Sequence, residues 1–137
     1  MNAVRAERGL HALERERRLG QTAEYFAAYM ARTGRLEHDA DGGTPATRVT
    51  QHGYGYCAVA ENIAYEYNSR GFTAERLARD FVEGWRESVT HRANMLDRAV
   101  TQTGVGVARG AGGEYFAAQL FARPQVTTAG KRARCPR

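Results

Sequence analysis

Lysine is nearly absent from this 137-residue chain: of its 20 basic residues, only Lys131 is not arginine. Such usage reads as a bias of the whole sequence rather than a patch built for a polyanion. Proline occurs three times and cysteine twice. Two cysteines exclude a disulfide-dense miniprotein and a four-thiolate zinc site, and leave room for one bridge. No apolar run approaches the ~20 residues that a membrane-spanning helix needs. HExxH, CxxC, GxSxG and P-loop patterns are also missing. The amino terminus, MNAVRAERG, lacks the apolar core of a secretory leader. Taken alone that terminus reads as cytosolic; the alternative is a mature domain whose leader has been removed.

What remains is enough for one domain with a core of ordinary size. The net charge of +5 resides mostly in the tail, where Lys131, Arg132, Arg134 and Arg137 lie within seven residues. Without them the balance is 16 basic against 15 acidic residues, so nucleic acid is not an expected partner.

Between Arg15 and Thr33, Leu19, Ala23, Phe26, Ala27 and Met30 recur at three- and four-residue steps, the stripe of an amphipathic helix that Gly34 stops. A short helical turn is expected over Asn2 to Arg8. Leu36 to Gly55, with Asp41-Gly42-Gly43 and Pro45, reads as loop holding at most a short helix at Ala46 to His52. The aromatic run from Gly53 to Tyr67 is strand or short helix; its periodicity does not decide. Thr73 is an N-cap for a second helix carrying Leu77, Ala78, Phe81 and Trp85, which runs to about Ser88 or one turn beyond. Gly104 to Ala108 and Glu114 to Phe121, joined by a Gly-rich linker, form a hairpin. Helices followed by a terminal hairpin imply an α+β domain.

Four histidines carry most of the available chemistry. His11 and His52 fall in polar or Gly-flanked segments and are expected to be solvated. His38 and His91 lie near predicted helix ends, where a side chain can turn into a cleft, although neither has a neighbour at metal-motif spacing.

Six segments in order carry a family resemblance: Asn2-Ala3-Val4-Arg5 with Gly9-Leu10; MARTGRLEH from Met30 to His38; Ala60-Glu61-Asn62-Ile63-Ala64; Trp85-x-x-Ser88-x-x-His91-Arg92-x-Asn94-Met95-Leu96; Gly104-Val105-Gly106; and Tyr115 to Phe121 with Gln119. Together they resemble the bacterial branch of the CAP superfamily (SCP/TAPS), named for cysteine-rich secretory proteins, antigen 5 and pathogenesis-related proteins. The resemblance covers about residues 2 to 123. It implies a three-layer α-β-α sandwich with a short antiparallel sheet, a domain over residues 1–123 and a basic tail over 124–137.

It also implies a cavity lined by two histidines and two acidic residues, which in some relatives hold a divalent metal, often zinc. Carried over by position, these are His38, Glu61 and His91, with Asn62, Trp85, Asn94 and Gln119 in support. Ser88 stands where eukaryotic relatives have glutamate. At ~100° per residue, Leu77, Phe81, Trp85 and Ser88 fall within about 40° of one line, so Ser88 is expected to face inward and Glu87 to sit with Glu83 on the solvated face. A helix continued by one turn would place His91 about 60° from Ser88.

Three neutral or anionic donors permit a zinc site with activated water, His38 and His91 being the metal candidates. Losing the fourth acidic group removes the obvious general base, unless Glu61 serves as base rather than ligand. A hydrogen-bonded structural cluster is therefore expected before a metal site, and a metal site before a hydrolase.

Because the family is mostly exported, a Cys57–Cys135 bridge is expected in an extracellular or periplasmic protein, the alternative being two free thiols. The resemblance favours a monomeric, non-enzymatic module that uses the central His/Glu cavity to bind a lipid or apolar ligand or a protein partner. A zinc-dependent hydrolase and a structural envelope protein whose basic tail docks on anionic polymer are the alternatives.

Overall fold

The computed structural model describes residues 1–68, 70–125 and 135; the rest of the basic tail lies outside them. Helix α1 (Asn2–Glu7) and the two-residue strand β1 (Glu14–Arg15) precede the long helix α2 (Arg17–Thr33), which is followed by α3 (Pro45–Gln51) and strand β2 (Tyr56–Glu66). Helices α4 (Ala74–Glu87) and α5 (Val89–Met95) come next, and strands β3 (Gln102–Arg109) and β4 (Tyr115–Pro124) close the domain.

Helix α2 forms where its periodicity places it. Leu19, Ala23, Phe26, Ala27 and Met30 are wholly buried. The Glu16 carboxylate accepts the Leu19 N–H at 2.9 Å as an N-cap, so Arg15 falls outside the helix, in β1. Gly34 ends the helix with φ +70°, and its N–H reaches the Met30 carbonyl. That left-handed geometry is one glycine adopts without steric cost. The short helix expected after Pro45 is α3, set by Thr44, whose side chain forms a reciprocal capping box with Thr47.

The sheet has the order β1-β3-β4-β2, antiparallel except for the short parallel pairing of β1 with β3. The predicted hairpin is β3–β4, with Arg109 opposite Tyr115. The undecided Gly53 to Tyr67 segment contains the edge strand β2, paired with β4 so that Glu61 faces Leu120 and Asn62 faces Gln119. Central β4 is buried on both faces. Phe116, Ala118, Leu120 and Ala122 enter the core built with α2 and α3, whereas Ala117 and Phe121 enter the core built with α4, α5 and Val4. Helices thus cover both sides of the sheet, giving the α-β-α sandwich.

Gly104 and Gly106 lie within β3, directly against α2. A Cβ on Gly104 would stand 2.6 Å from the Leu19 carbonyl oxygen, and one on Gly106 would meet the main chain of Ala23 and Glu24. Only a residue without a side chain lets this helix rest on this strand.

Helix α4 starts at the Thr73 cap, which accepts the Arg76 N–H at 3.2 Å, and buries Leu77, Phe81 and Trp85. It does not continue beyond Ser88. That residue has extended backbone (φ −94°, ψ 127°) and separates α4 from a distinct helix, α5. No helix among the described residues is long and apolar enough to cross a membrane. Cys57, at the start of β2, is disulfide-bonded to Cys135, with a Cα–Cα separation of 5.2 Å.

Candidate functional site

Glu61 and Asn62 are adjacent in β2, so the pleat sends their side chains to opposite faces of the sheet. Glu61 points into the α2/α3 layer. There Arg48 Nη2 donates to both of its oxygens, at 3.0 and 2.9 Å, while Nη1 donates to Asp41 Oδ1 at 2.9 Å. The guanidinium lies 3.5 Å from the centroid of the Phe26 ring, and its side chain is 1% exposed. Two carboxylates and an aromatic face thus surround one buried cation; only Arg48 Nε finds no hydrogen-bond partner among the described residues.

The loop before α3 supplies the rest of this arrangement. Asp41 Oδ1 also accepts the Gly43 N–H at 3.0 Å, and Tyr25 donates its hydroxyl to Asp41 Oδ2 at 3.2 Å. Burial, then the Asp41 charge, raises the Tyr25 phenol above its ordinary value. His38, in the turn just before Asp41, places Nδ1 2.9 Å from Glu61 Oε1. An ionised carboxylate has no proton to give, so Nδ1–H is the donor. The imidazole is half exposed.

Asn62 points into the other layer. Its Nδ2 donates to the His91 carbonyl at 3.1 Å, and its Oδ1 accepts from Asn94 Nδ2 at 2.9 Å. Asn94 also reaches the Glu61 carbonyl at 3.4 Å, and Trp85 Nε1 donates to the Ile63 carbonyl at 3.1 Å. These two side chains satisfy outward carbonyls of β2 and dock α4 and α5 against its edge, where an exposed strand would otherwise invite pairing.

His91 approaches from α5. Its imidazole is held below the ordinary value first by burial and second by the charge on His38. Ser88 is half-buried at the α4/α5 junction, 3.4 Å from the Thr90 hydroxyl. The break in the helix removes the basis for the angle expected between Ser88 and His91. Glu83 and Glu87 are both solvent-exposed, as their phase predicts. Gln119 is buried in the sheet and donates to Thr103 Oγ1 at 3.1 Å. His52 is less solvated than its loop position suggests, with Nδ1 2.8 Å from the Arg48 carbonyl. His11, although exposed, lies 3.2 Å from the Val100 carbonyl and 3.4 Å from Arg5 Nη2.

The donor set can now be tested against zinc. Among the described residues no group of three or more His, Cys, Asp and Glu is close enough to hold a metal ion. Both Glu61 oxygens already accept from Arg48, which neutralises the carboxylate as a ligand and as a base. The arrangement does not fit a His-His-Glu zinc centre. Arg48 and Asp41 are the site residues that sequence reasoning missed. Arg48 is one of nineteen arginines, and Asp41 reads as a turn former, so neither carried a distinguishing signal.

A separate open groove of about 590 Å³ lies where the end of α2, the end of β2 and the β3–β4 hairpin meet. Leu36, Tyr65, Tyr67, Gly112, Glu114 and Phe116 line it. Tyr65 and Tyr67 are 55% and 58% exposed, and Tyr65 stacks on buried Phe116 with ring centroids 5.9 Å apart. Sequence reasoning placed both tyrosines in a segment of undecided structure and did not find this groove.

Comparison with known proteins agrees with the fold. No curated protein matches significantly. An outer surface protein from Borrelia burgdorferi superposes with a TM-score of 0.78 at 18% identity, covering 90% of this chain and 86% of that one. An extracellular protein containing an SCP domain from Bacillus anthracis gives 0.74 at 26% identity over 89% of this chain, and a cysteine-rich secretory protein from Staphylococcus aureus gives 0.64 at 21% over 88%. The chain spans only 37% and 35% of those last two proteins. The profile of the cysteine-rich secretory protein family, CAP, matches residues 1–121, nearly the whole described domain, and the chain belongs to that family.

Proposed function

We propose that this chain is an exported bacterial CAP domain that binds an apolar ligand without turning it over, and that the ligand occupies the Tyr65/Tyr67 groove rather than the His38/Glu61/His91 cluster. The observation that carries this reading is the state of Glu61. A hydrolase built on two histidines needs a carboxylate free to bind metal or accept a proton. Here the carboxylate is 1% exposed and held by Arg48 through two hydrogen bonds. The cluster is therefore a structural tie between the α2–α3 loop and the edge strand.

Export is supported by the Cys57–Cys135 disulfide, which persists in oxidising compartments, and by the extracellular and outer-surface neighbours. Binding is supported by two tyrosines that remain more than half exposed beside Leu36 in a concave site.

The test is titration with a neutral environment-sensitive apolar dye, followed by fluorescence. Replacing both groove tyrosines, Tyr65→Ser with Tyr67→Ser, is expected to weaken binding at least tenfold, about 1.4 kcal/mol. His38→Ala and His91→Ala are expected to leave it within twofold. Dye binding that survives loss of both tyrosines, or that disappears in the histidine variants alone, overturns the assignment.

A further inference from the structure

Glu114 is the one charged residue lining the aromatic groove among the described residues. It is half-buried, and its carboxylate makes no hydrogen bond or ion pair with any described residue. Its position is built rather than accidental. The carboxylate folds back over the hairpin, where a Cβ on Gly110 or Gly112 would collide with its oxygens. Gly113, with φ +87°, makes the turn, and a Cβ there would stand 3.5 Å from Arg109 Nη2 and 3.7 Å from Tyr67 Cε2. The nearest hairpin cation, Arg109, lies over the Tyr115 ring at 5.9 Å and forms no ion pair with Glu114.

A purely apolar occupant would cover this carboxylate and leave it desolvated and unpaired, which is costly. An anionic occupant would be repelled. A primary ammonium brings three N–H donors that need separate acceptors, more than one carboxylate can provide. A quaternary ammonium has no donor to satisfy and is weakly hydrated. It is also attracted to the faces of tyrosine and phenylalanine rings within about 6 Å, and a nearby carboxylate adds charge complementarity without requiring a directed hydrogen bond. The volume of about 590 Å³ exceeds a trimethylammonium group, leaving room for an attached apolar chain against Leu36.

We propose that the Tyr65/Tyr67/Phe116 groove binds small amphiphiles with a quaternary-ammonium head, with Glu114 as the counter-charge. The proposal deepens the reading of the groove as an apolar site and rests on it.

The experiment is calorimetric titration of the whole chain with three probes that share one alkyl chain: hexyltrimethylammonium, hexanol and hexyl sulfate, all below micelle formation. Tyrosine ring resonances report whether the groove is occupied. Hexyltrimethylammonium is expected to bind at least tenfold more tightly than hexanol, and hexyl sulfate more weakly than either. Glu114→Gln is expected to bring the cation and the alcohol within threefold of each other without changing the melting temperature. Tyr67→Ser, which keeps the carboxylate, is expected to weaken the cation more than the alcohol. Equal binding of cation and alcohol, or cation binding unchanged in Glu114→Gln, refutes the proposal while leaving the groove an apolar site. Failure of all three probes to shift the ring resonances refutes the groove reading itself.

Discussion

Arg48→Met tests whether the buried polar centre is the structural tie its geometry suggests. The substitution keeps much of the side-chain volume over Phe26 but removes three charge-assisted hydrogen bonds, two to Glu61 and one to Asp41. The two carboxylates then differ. Asp41 retains the Gly43 N–H and the Tyr25 hydroxyl, whereas Glu61 keeps only His38. Removing one partner of a buried ion pair costs about 3 to 5 kcal/mol because the other charge stays buried. That is about a third of the stability of an ordinary domain, and at this chain length it lowers the melting temperature by roughly 10 to 20 °C. Trp85, the only tryptophan, donates to the Ile63 carbonyl two residues along β2, so its fluorescence in a urea titration reports this region. Adding Glu61→Leu to Arg48→Met removes the stranded carboxylate and is expected to restore at least half of the loss. An Arg48→Met protein within about 1 kcal/mol of the parent, or a double variant no more stable than the single, would refute the reasoning.

Two further outcomes follow from packing and titration. Gly106→Ala drives a methyl group into the main chain of Ala23 and Glu24 and is expected to cost about 2 to 3 kcal/mol in denaturant unfolding; a neutral result would mean that α2 does not rest on β3 as described. Tyr54 donates its hydroxyl to Gln102 Oε1 at 2.6 Å, and burial, then Glu16, pushes the phenol up to about 12. Because the folded-state value is raised, its contribution is fully present below the ordinary phenol value of about 10 and is lost as pH climbs from there toward 12. Tyr54→Phe is expected to lower stability by about 1 to 2 kcal/mol at neutral pH and to flatten the alkaline decline; an unchanged alkaline slope would remove the assignment.

Helices α2 and α4 were legible because each joins an apolar stripe to a capping signal, Gly34 at one end of α2 and Thr73 at the start of α4. The β3–β4 hairpin was legible from its valines, aromatics and intervening glycines. Strand β2 was not, since contacts on both faces erase the alternation that marks a half-buried strand. Helix α5 escaped because its seven residues are too few to establish a period and the Ser88 before it makes no side-chain cap. The angle expected between Ser88 and His91 requires an unbroken helix, and the extended backbone of Ser88 breaks it. The pairing of His38 with Glu61 came from family resemblance alone, as the two are 23 residues apart and no local pattern joins them. Arg48 was hidden by abundance. In a chain this rich in arginine, only tertiary structure distinguishes a guanidinium enclosed by two carboxylates from those on the surface.

The Glu-Asn pair of β2 also acts as an alignment key for the edge strand. A shift of one residue in one direction would bring Asn62 to the Arg48 guanidinium, and in the other would bring Ala60 there and Glu61 to the Asn94 amide; either way Arg48 faces a neutral group and the Glu61 carboxylate turns into the opposite layer away from it. A shift of two would preserve the faces but bring Val59 or Ile63 to Arg48. Both misalignments strand a buried charge. The dipeptide therefore selects one pairing of β2 with β4 from the alternatives that a largely apolar strand would otherwise tolerate, and it does so from the two layers at once.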